Sequence, residues 1–176
     1  MATKKTSMFT LTERLTLANN GTDFFATIDL ASYVDVGDRQ ALQVHSVDFI
    51  FQGVNPETTF LTTFSAPSTT QVQVTDLNRS QLVFSDDRAL VASATLMFDT
   101  TSNQLSQEAD MYPDNYGKGS DDGRYVVNDQ LYIIGRTVAL NADQAINVTV
   151  RVNASIVSLT AKDFMAIAIQ STAADN

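Results

Sequence analysis

His45 is the only histidine in 176 residues, and the chain contains no cysteine. Those two counts remove most site chemistry at once. A Ser-His-Asp triad, a two-histidine metal centre and a cupin-type metal cage all need a constellation around histidine that this chain lacks. Thiolate metal sites, disulfides and a cysteine nucleophile are excluded outright. No Gly-x-Ser-x-Gly turn presents a serine nucleophile, and no glycine-rich loop cradles a phosphate. His45 falls inside a strand-like run, so a structural or interface role is expected of it.

Carboxylates are the remaining candidates. Asp29, Asp48 and Asp99 lie in or at the ends of strand-like runs, where two of them would flank a glycosidic bond only at a suitable separation. Strand-end aspartates are more often turn formers or edge charges, and that role is expected of these three. Asp110, Asp114, Asn115, Asp121 and Asp122 cluster in one polar stretch with oxygen donors suited to calcium. Tyr116 and Lys118 break the EF-hand spacing, so a solvated acidic loop is expected, with calcium bridging between subunits as the alternative. Asn20, Asn78, Asn147 and Asn153 sit in Asn-x-Ser/Thr triplets, which are frequent by chance in a chain this rich in Asn and Thr. No residue is assigned to catalysis, to a cofactor or to a metal, and no enzymatic activity is expected.

The charge balance narrows the partners. Twenty acidic residues face eleven basic ones, for a net charge of −9. Lysine occurs only at Lys4, Lys5, Lys118 and Lys162. A nucleic-acid binder needs a basic face that displaces counterions from phosphates, so little or no direct contact with nucleic acid is expected. An anionic membrane surface is disfavoured for the same reason. Lys4 and Lys5 resemble the start of a secretion signal, but Thr10, Thr12, Glu13, Arg14 and Thr16 interrupt the segment after them. No run approaches the ~20 apolar residues of a membrane span. Folding without classical secretion is the expectation.

Alternating hydrophobicity must then supply the scaffold. From Ile146 to Ile156 every even position is apolar while Asn147, Thr149, Arg151, Asn153 and Ser155 alternate with them. At ~3.3 Å per residue this makes a strand of roughly 36 Å, about twice the usual length. Phe9–Leu17 and Phe24–Leu30 alternate on either side of Asn19-Asn20-Gly21-Thr22, predicting a hairpin. Ala41–Phe51 changes phase between Val44 and Val47, the mark of a β-bulge or a bend between sheets. Short strands are predicted at 58–64, 70–76 and 81–84, and a clean one at 90–98. A short helix is expected around Ser102–Met111, then a long exposed loop to Gly123. Tyr125–Ile134 is apolar on both faces and predicts a strand buried on two sides. Thr160–Asp163 has the composition of a helix cap, yet Met165, Ile167 and Ile169 alternate, and strand is narrowly preferred there.

About eight to ten strands with short turns predict an all-β fold: a two-sheet antiparallel sandwich, best fitted by a single jelly roll of about eight strands. The organisation expected is a flexible arm at 1–7, one sandwich domain at 8–170 and a tail at 171–176. In strand order and length, from Phe9 to about Ile169, the chain resembles the single jelly-roll capsid proteins of icosahedral viruses. The resemblance implies a shell-forming subunit that associates laterally with copies of itself and other capsid proteins, residing in the virion after assembly in the host cytoplasm. Contacts are then expected from 1–7, the 100–123 loop and the C-terminal tail. Capsid proteins of this kind often meet their genome through a basic arm, which here reduces to Lys4 and Lys5. A separate genome-binding protein or an underlying membrane would fill that role. The alternative is a carbohydrate- or receptor-binding sandwich module.

Overall fold

The computed structural model describes residues 2–18, 21–55, 60–111 and 123–172. In chain order they form β1 (Thr3–Lys4), β2 (Phe9–Leu17), β3 (Phe24–Asp29), β4 (Gln40–Gln52), α1 (Phe60–Thr63), β5 (Ser68–Thr75), β6 (Leu90–Asp99), β7 (Gln104–Met111), β8 (Arg124–Val126), β9 (Gln130–Thr137), β10 (Ile146–Ser158) and α2 (Ala161–Thr172). One sheet runs β2-β10-β4-β8, with β1 extending its first edge beside the last residues of β10. The other runs β3-β9-β5-β6-β7. Every strand pair is antiparallel.

The pairing identifies the winding. β5 pairs β6, β4 pairs β8, β3 pairs β9 and β2 pairs β10. These are nested pairs of one long hairpin, and successive pairs fall in alternating sheets. That is a jelly roll, with β7 added beyond β6 as an extra edge. Period-2 alternation drives it: Ile146, Val148, Val150, Val152 and Ala154 of β10 all point into the space between the sheets and are fully buried. They meet Val72, Val74, Ala92, Ala94, Leu131 and Ile133 from the opposite sheet in one core. Each Val, Leu or Ile among them contributes about 1.5–3 kcal/mol of burial. Gly135 in β9 allows a close approach, because a Cβ there would lie 2.8 Å from the Leu15 side chain and 3.0 Å from that of Leu17.

The predicted phase change in β4 is a bulge. Asn153 pairs Ser46 and Ala154 pairs Val44, so His45 is the residue left over. Before it Leu42 and Val44 face the core, and after it Phe49 does. A second, smaller core lies on the outer side of the same sheet. Ala41, Val127, Val157 and Leu159 are covered there by Phe164 of α2.

Several expectations need correction. The Phe9–Leu30 hairpin does not form, because β2 and β3 belong to different sheets; alternation reports which face is buried and not which strand lies alongside. Phe60–Thr63 is a helical turn within the predicted 58–64 strand. Residues 81–84 form no strand, although the Val83 backbone makes a strand-like pair with the Gln73 side chain. The helix expected at Ser102–Met111 is the edge strand β7, exposed on both faces along most of its length, so no alternation marked it. Tyr125–Ile134 is split between β8 and β9 by the turn at 127–129. The 161–172 segment is helix, not strand. Thr160 is the N-cap, its hydroxyl accepting from the Asp163 amide at 3.2 Å and donating to Asp163 Oδ2 at 2.8 Å, and Phe164, Ile167 and Ala168 turn inward at helical spacing.

Both ends of the described chain lie against the first sheet. Thr3–Lys4 pairs with Val157 and Ser158, and the Thr6 hydroxyl accepts from the Ile156 amide at 2.9 Å. α2 continues through Thr172, while 173–176 lie outside the described residues.

Candidate interaction surfaces

The histidine sits where the bulge turns it outward. Its Nε2 lies 2.8 Å from the Ser155 hydroxyl, a buried partner on β10. Partial burial lowers its pKa below 6.5, and the Lys4 charge on β1 adds to that shift. Gly123 crosses the same bulge at φ +111°, and a Cβ there would collide with the Val44 carbonyl oxygen. The arrangement stitches β1, β4, β8 and β10 together, and its parts carry a structural explanation.

The three strand aspartates stay apart. Asp29 caps the turn after β3, accepting from the Ala31 amide at 2.9 Å. Asp99 closes the β6–β7 turn at the other end of that sheet, accepting from Ser102 Oγ at 2.6 Å and the Thr101 amide at 2.8 Å. Those bonds hold its carboxyl below the ordinary value. Asp48 lies on the outer face of the opposite sheet and accepts from Asn153 Nδ2 at 3.2 Å. Of the acidic stretch, Asp110 is the next-to-last residue of β7 and accepts from the Met111 amide at 2.8 Å; Asp114, Asn115, Asp121 and Asp122 lie outside the described residues. Among the described residues no group of three His, Asp or Glu side chains is placed to hold a metal ion.

Asn147 and Asn153, singled out as sequon residues, form a polar ladder on the outer face of the first sheet. Thr10 Oγ1 donates to Asn153 Oδ1 at 2.7 Å, and Asn153 Nδ2 donates on to Ser46 Oγ at 2.9 Å. Thr16 Oγ1 donates to Asn147 Oδ1 at 2.7 Å, whose Nδ2 reaches the Gly53 carbonyl at 3.0 Å. Both amides are spent across strands, each such pair contributing a few tenths to 1 kcal/mol. Asn78 accepts from the Ser80 amide at 3.1 Å in a surface turn, and Asn20 lies outside the described residues.

Two features escaped the sequence. The first is a cross-sheet pin: Arg124 of β8 donates to Asp76 Oδ2 at 2.8 Å, to the Leu90 carbonyl at 2.6 Å and to the Arg88 carbonyl. Asn128 Nδ2 holds the Asp76 carbonyl at 2.6 Å. Asp76 Oδ1 is buried without a hydrogen-bond partner. Burial raises the Asp76 carboxyl above its ordinary value, against the opposing pull of Arg124. An aspartate and an arginine 48 residues apart have no periodic relation to betray them.

The second is the β5–β6 connection, residues 76–89, which folds back over the outer face of the second sheet. Gln73 grips the Val83 backbone from both sides, Nε2 donating to its carbonyl and Oε1 accepting from its amide, each at 2.8 Å. A side-chain amide thus replaces the partner strand expected at 81–84. Arg79 pairs with Asp87 at 2.8 Å lower in the same connection. The loop presents Phe84 with 87 % of its surface exposed.

Other exposed large apolar side chains are spread over the surface, among them Phe25, Leu105 and Met97. Apart from Phe84, the four most exposed large apolar side chains among the described residues are Val36 (70 %), Ile169 (62 %), Met8 (61 %) and Met165 (58 %). Val36 lies between β3 and β4, Met8 just before β2, and the other two on α2 after β10. By strand direction and register Val36 and Met8 lie toward the end that holds Gln40 and Ser158, and α2 starts from that end and packs over the outer side of the first sheet. Met165 and Ile169, four residues apart, share one helix face. No described helix is long and apolar enough to cross a membrane, which does not bear on β-barrels.

No protein-family model matches the chain, and no curated protein matches its sequence. Among solved structures, one from Desmodium yellow mottle tymovirus aligns over 88 % of this chain and 90 % of that one, with a TM-score of 0.38 and 10 % sequence identity.

Proposed function

We propose that this chain is a shell-forming structural subunit of an icosahedral virus capsid, assembling through contacts between many copies. The observation that carries the reading is the apolar end: Val36 and Met8 in the connections at the Ser158 end, with Met165 and Ile169 on the outward face of the helix that follows it, are large apolar side chains left in water. Large apolar groups left in water on a rigid body favour a protein partner over solvent. Each contact is small, but a closed ring or shell makes the contacts of every copy cooperative. The jelly roll is a fold used by capsid and lectin domains alike, so the burden falls on this surface and not on the fold.

The test is self-association. Sedimentation velocity of the purified protein is expected to show large, discrete species, and the paired substitution Met165→Glu with Ile169→Glu is expected to shift the distribution toward single subunits. Both side chains point to solvent, so circular dichroism of the variant is expected to match the parent. A parent protein that sediments as one subunit across all accessible concentrations would contradict the proposal.

A further inference from the structure

The geometry points to a neutral-saccharide site on the outer face of the second sheet, in the recess between strands β5 and β6 and the 82–85 segment. The recess encloses about 330 Å³ and is lined by Gln71, Gln73, Val83, Phe84, Ser93 and Thr95 among others, with no charged side chain in its lining. That volume suits a small ligand of one or two sugar rings. This assignment goes beyond the assembly reading and is independent of it, because the recess lies on a sheet face and not on the apolar end.

Three properties select the ligand class. The floor offers hydroxyl and amide groups that both donate and accept. Gln71 and Thr95 are direct partners across β5 and β6, about 5 Å apart at Cα, and neither side chain makes a hydrogen bond within the described residues. Phe84 also lines the recess with most of its surface in water, an apolar ring suited to the C–H face of a pyranose while the sugar hydroxyls reach the floor. The recess is also neutral, although Arg136 flanks it on β9 and Glu108 on β7. Arg136 is committed to Asp23 at 2.6 and 2.7 Å. Phosphate, sulfate and cations therefore find no counter-charge in the lining.

A peptide strand is a poorer fit. β5 and β6 are inner strands whose backbones are paired on both sides, so strand addition has no free ladder to join. Preorganisation favours a weakly held ligand such as a sugar. The two Gln73–Val83 hydrogen bonds fix the 82–85 segment, and the Arg79–Asp87 pair fixes its base. Little ordering remains to be done on binding.

Saturation-transfer NMR tests this whether the protein is a single subunit or a large assembly, because the sugar signals are observed. The probes are lactose, maltotriose and chitotriose, with sialyllactose and a heparin tetrasaccharide as charged comparisons. At least one neutral probe is expected to receive saturation on ring C–H protons. Phe84→Ala and Gln71→Ala are each expected to weaken its binding by about tenfold or more, equivalent to about 1.4 kcal/mol. Phe84→Leu, which keeps apolar bulk without the ring, is expected to weaken it too. No transfer to any neutral probe, equal transfer in all three variants, or stronger binding of the charged comparisons overturns the assignment. So does an unchanged sugar response accompanied by loss of self-association in Phe84→Ala, which would make the ring a contact between subunits.

Discussion

Replacing Arg124 by alanine removes at once the hydrogen bonds to Asp76 Oδ2, the Leu90 carbonyl and the Arg88 carbonyl. Asp76 is 3 % exposed and one of its carboxylate oxygens already lacks a partner, so the charge left behind is poorly solvated. Removing one member of a buried pair costs about 3–5 kcal/mol. The Arg124 side chain keeps some contact with water, 14 % of its surface, which places the expected loss near the lower bound, about 3 kcal/mol. Urea unfolding followed by circular dichroism reads it as a shift in midpoint at constant slope. The pH dependence supplies a second check. Burial raises the folded-state carboxyl above its unfolded value, so the folded state keeps its proton longer and the stability linked to this group falls as pH rises through the folded pKa. Without Arg124 that pKa climbs further. The deficit of Arg124→Ala is therefore expected to be smallest in acid and to grow toward neutrality. Adding Asp76→Asn to the variant is expected to recover part of the loss at neutral pH. A deficit below about 1 kcal/mol, the ordinary scale of a point substitution, or one that does not vary with pH, would refute the pin.

The same contacts set three further outcomes. Gly123→Ala meets both a left-handed φ and the Val44 carbonyl oxygen, so a loss of about 2–3 kcal/mol is expected in the same unfolding assay. Thr160→Ala removes the cap of α2 and is expected to cost about 1 kcal/mol, with faster amide exchange confined to the first turn of the helix. For the single histidine, partial burial lowers the folded pKa. Stability linked to His45 is thus fully present above the unfolded value of about 6.5 and is lost as pH falls through the folded pKa. His45→Gln is expected to flatten the stability profile in that interval, and NMR titration of the one imidazole gives its pKa directly.

The fold was legible where one face is dry and the other wet. Ile146–Ile156 announced β10 because its even positions are buried through Ala154 and its odd ones carry the Asn–Thr ladder, although past the bulge the phase reverses and Ser155, not Ile156, is the fully buried residue. The Val44-to-Val47 slip announced the bulge at His45 for the same reason. Legibility failed where that contrast vanishes. β7 has water on both faces, so its polar run read as helix or loop. β8 and β9 fused into one apparent strand because Val126, Val127, Leu131, Ile133 and Ile134 are all buried, which hides the turn between them. At α2, odd-numbered apolar residues mimicked alternation, and only the Thr160–Asp163 cap distinguished helix from strand. Partnership was the least visible property. β2 and β3 have correct faces yet lie in different sheets, and neither the Asp76–Arg124 pin nor the Gln73 clamp leaves a trace in sequence spacing.

Electron microscopy of the freshly purified full chain bears most directly on the shell-forming role. Closed particles of uniform diameter, or regular rings on the way to them, are the predicted images, together with their disappearance in the Met165→Glu, Ile169→Glu variant. Fields of isolated single subunits at every concentration and salt condition would contradict the account.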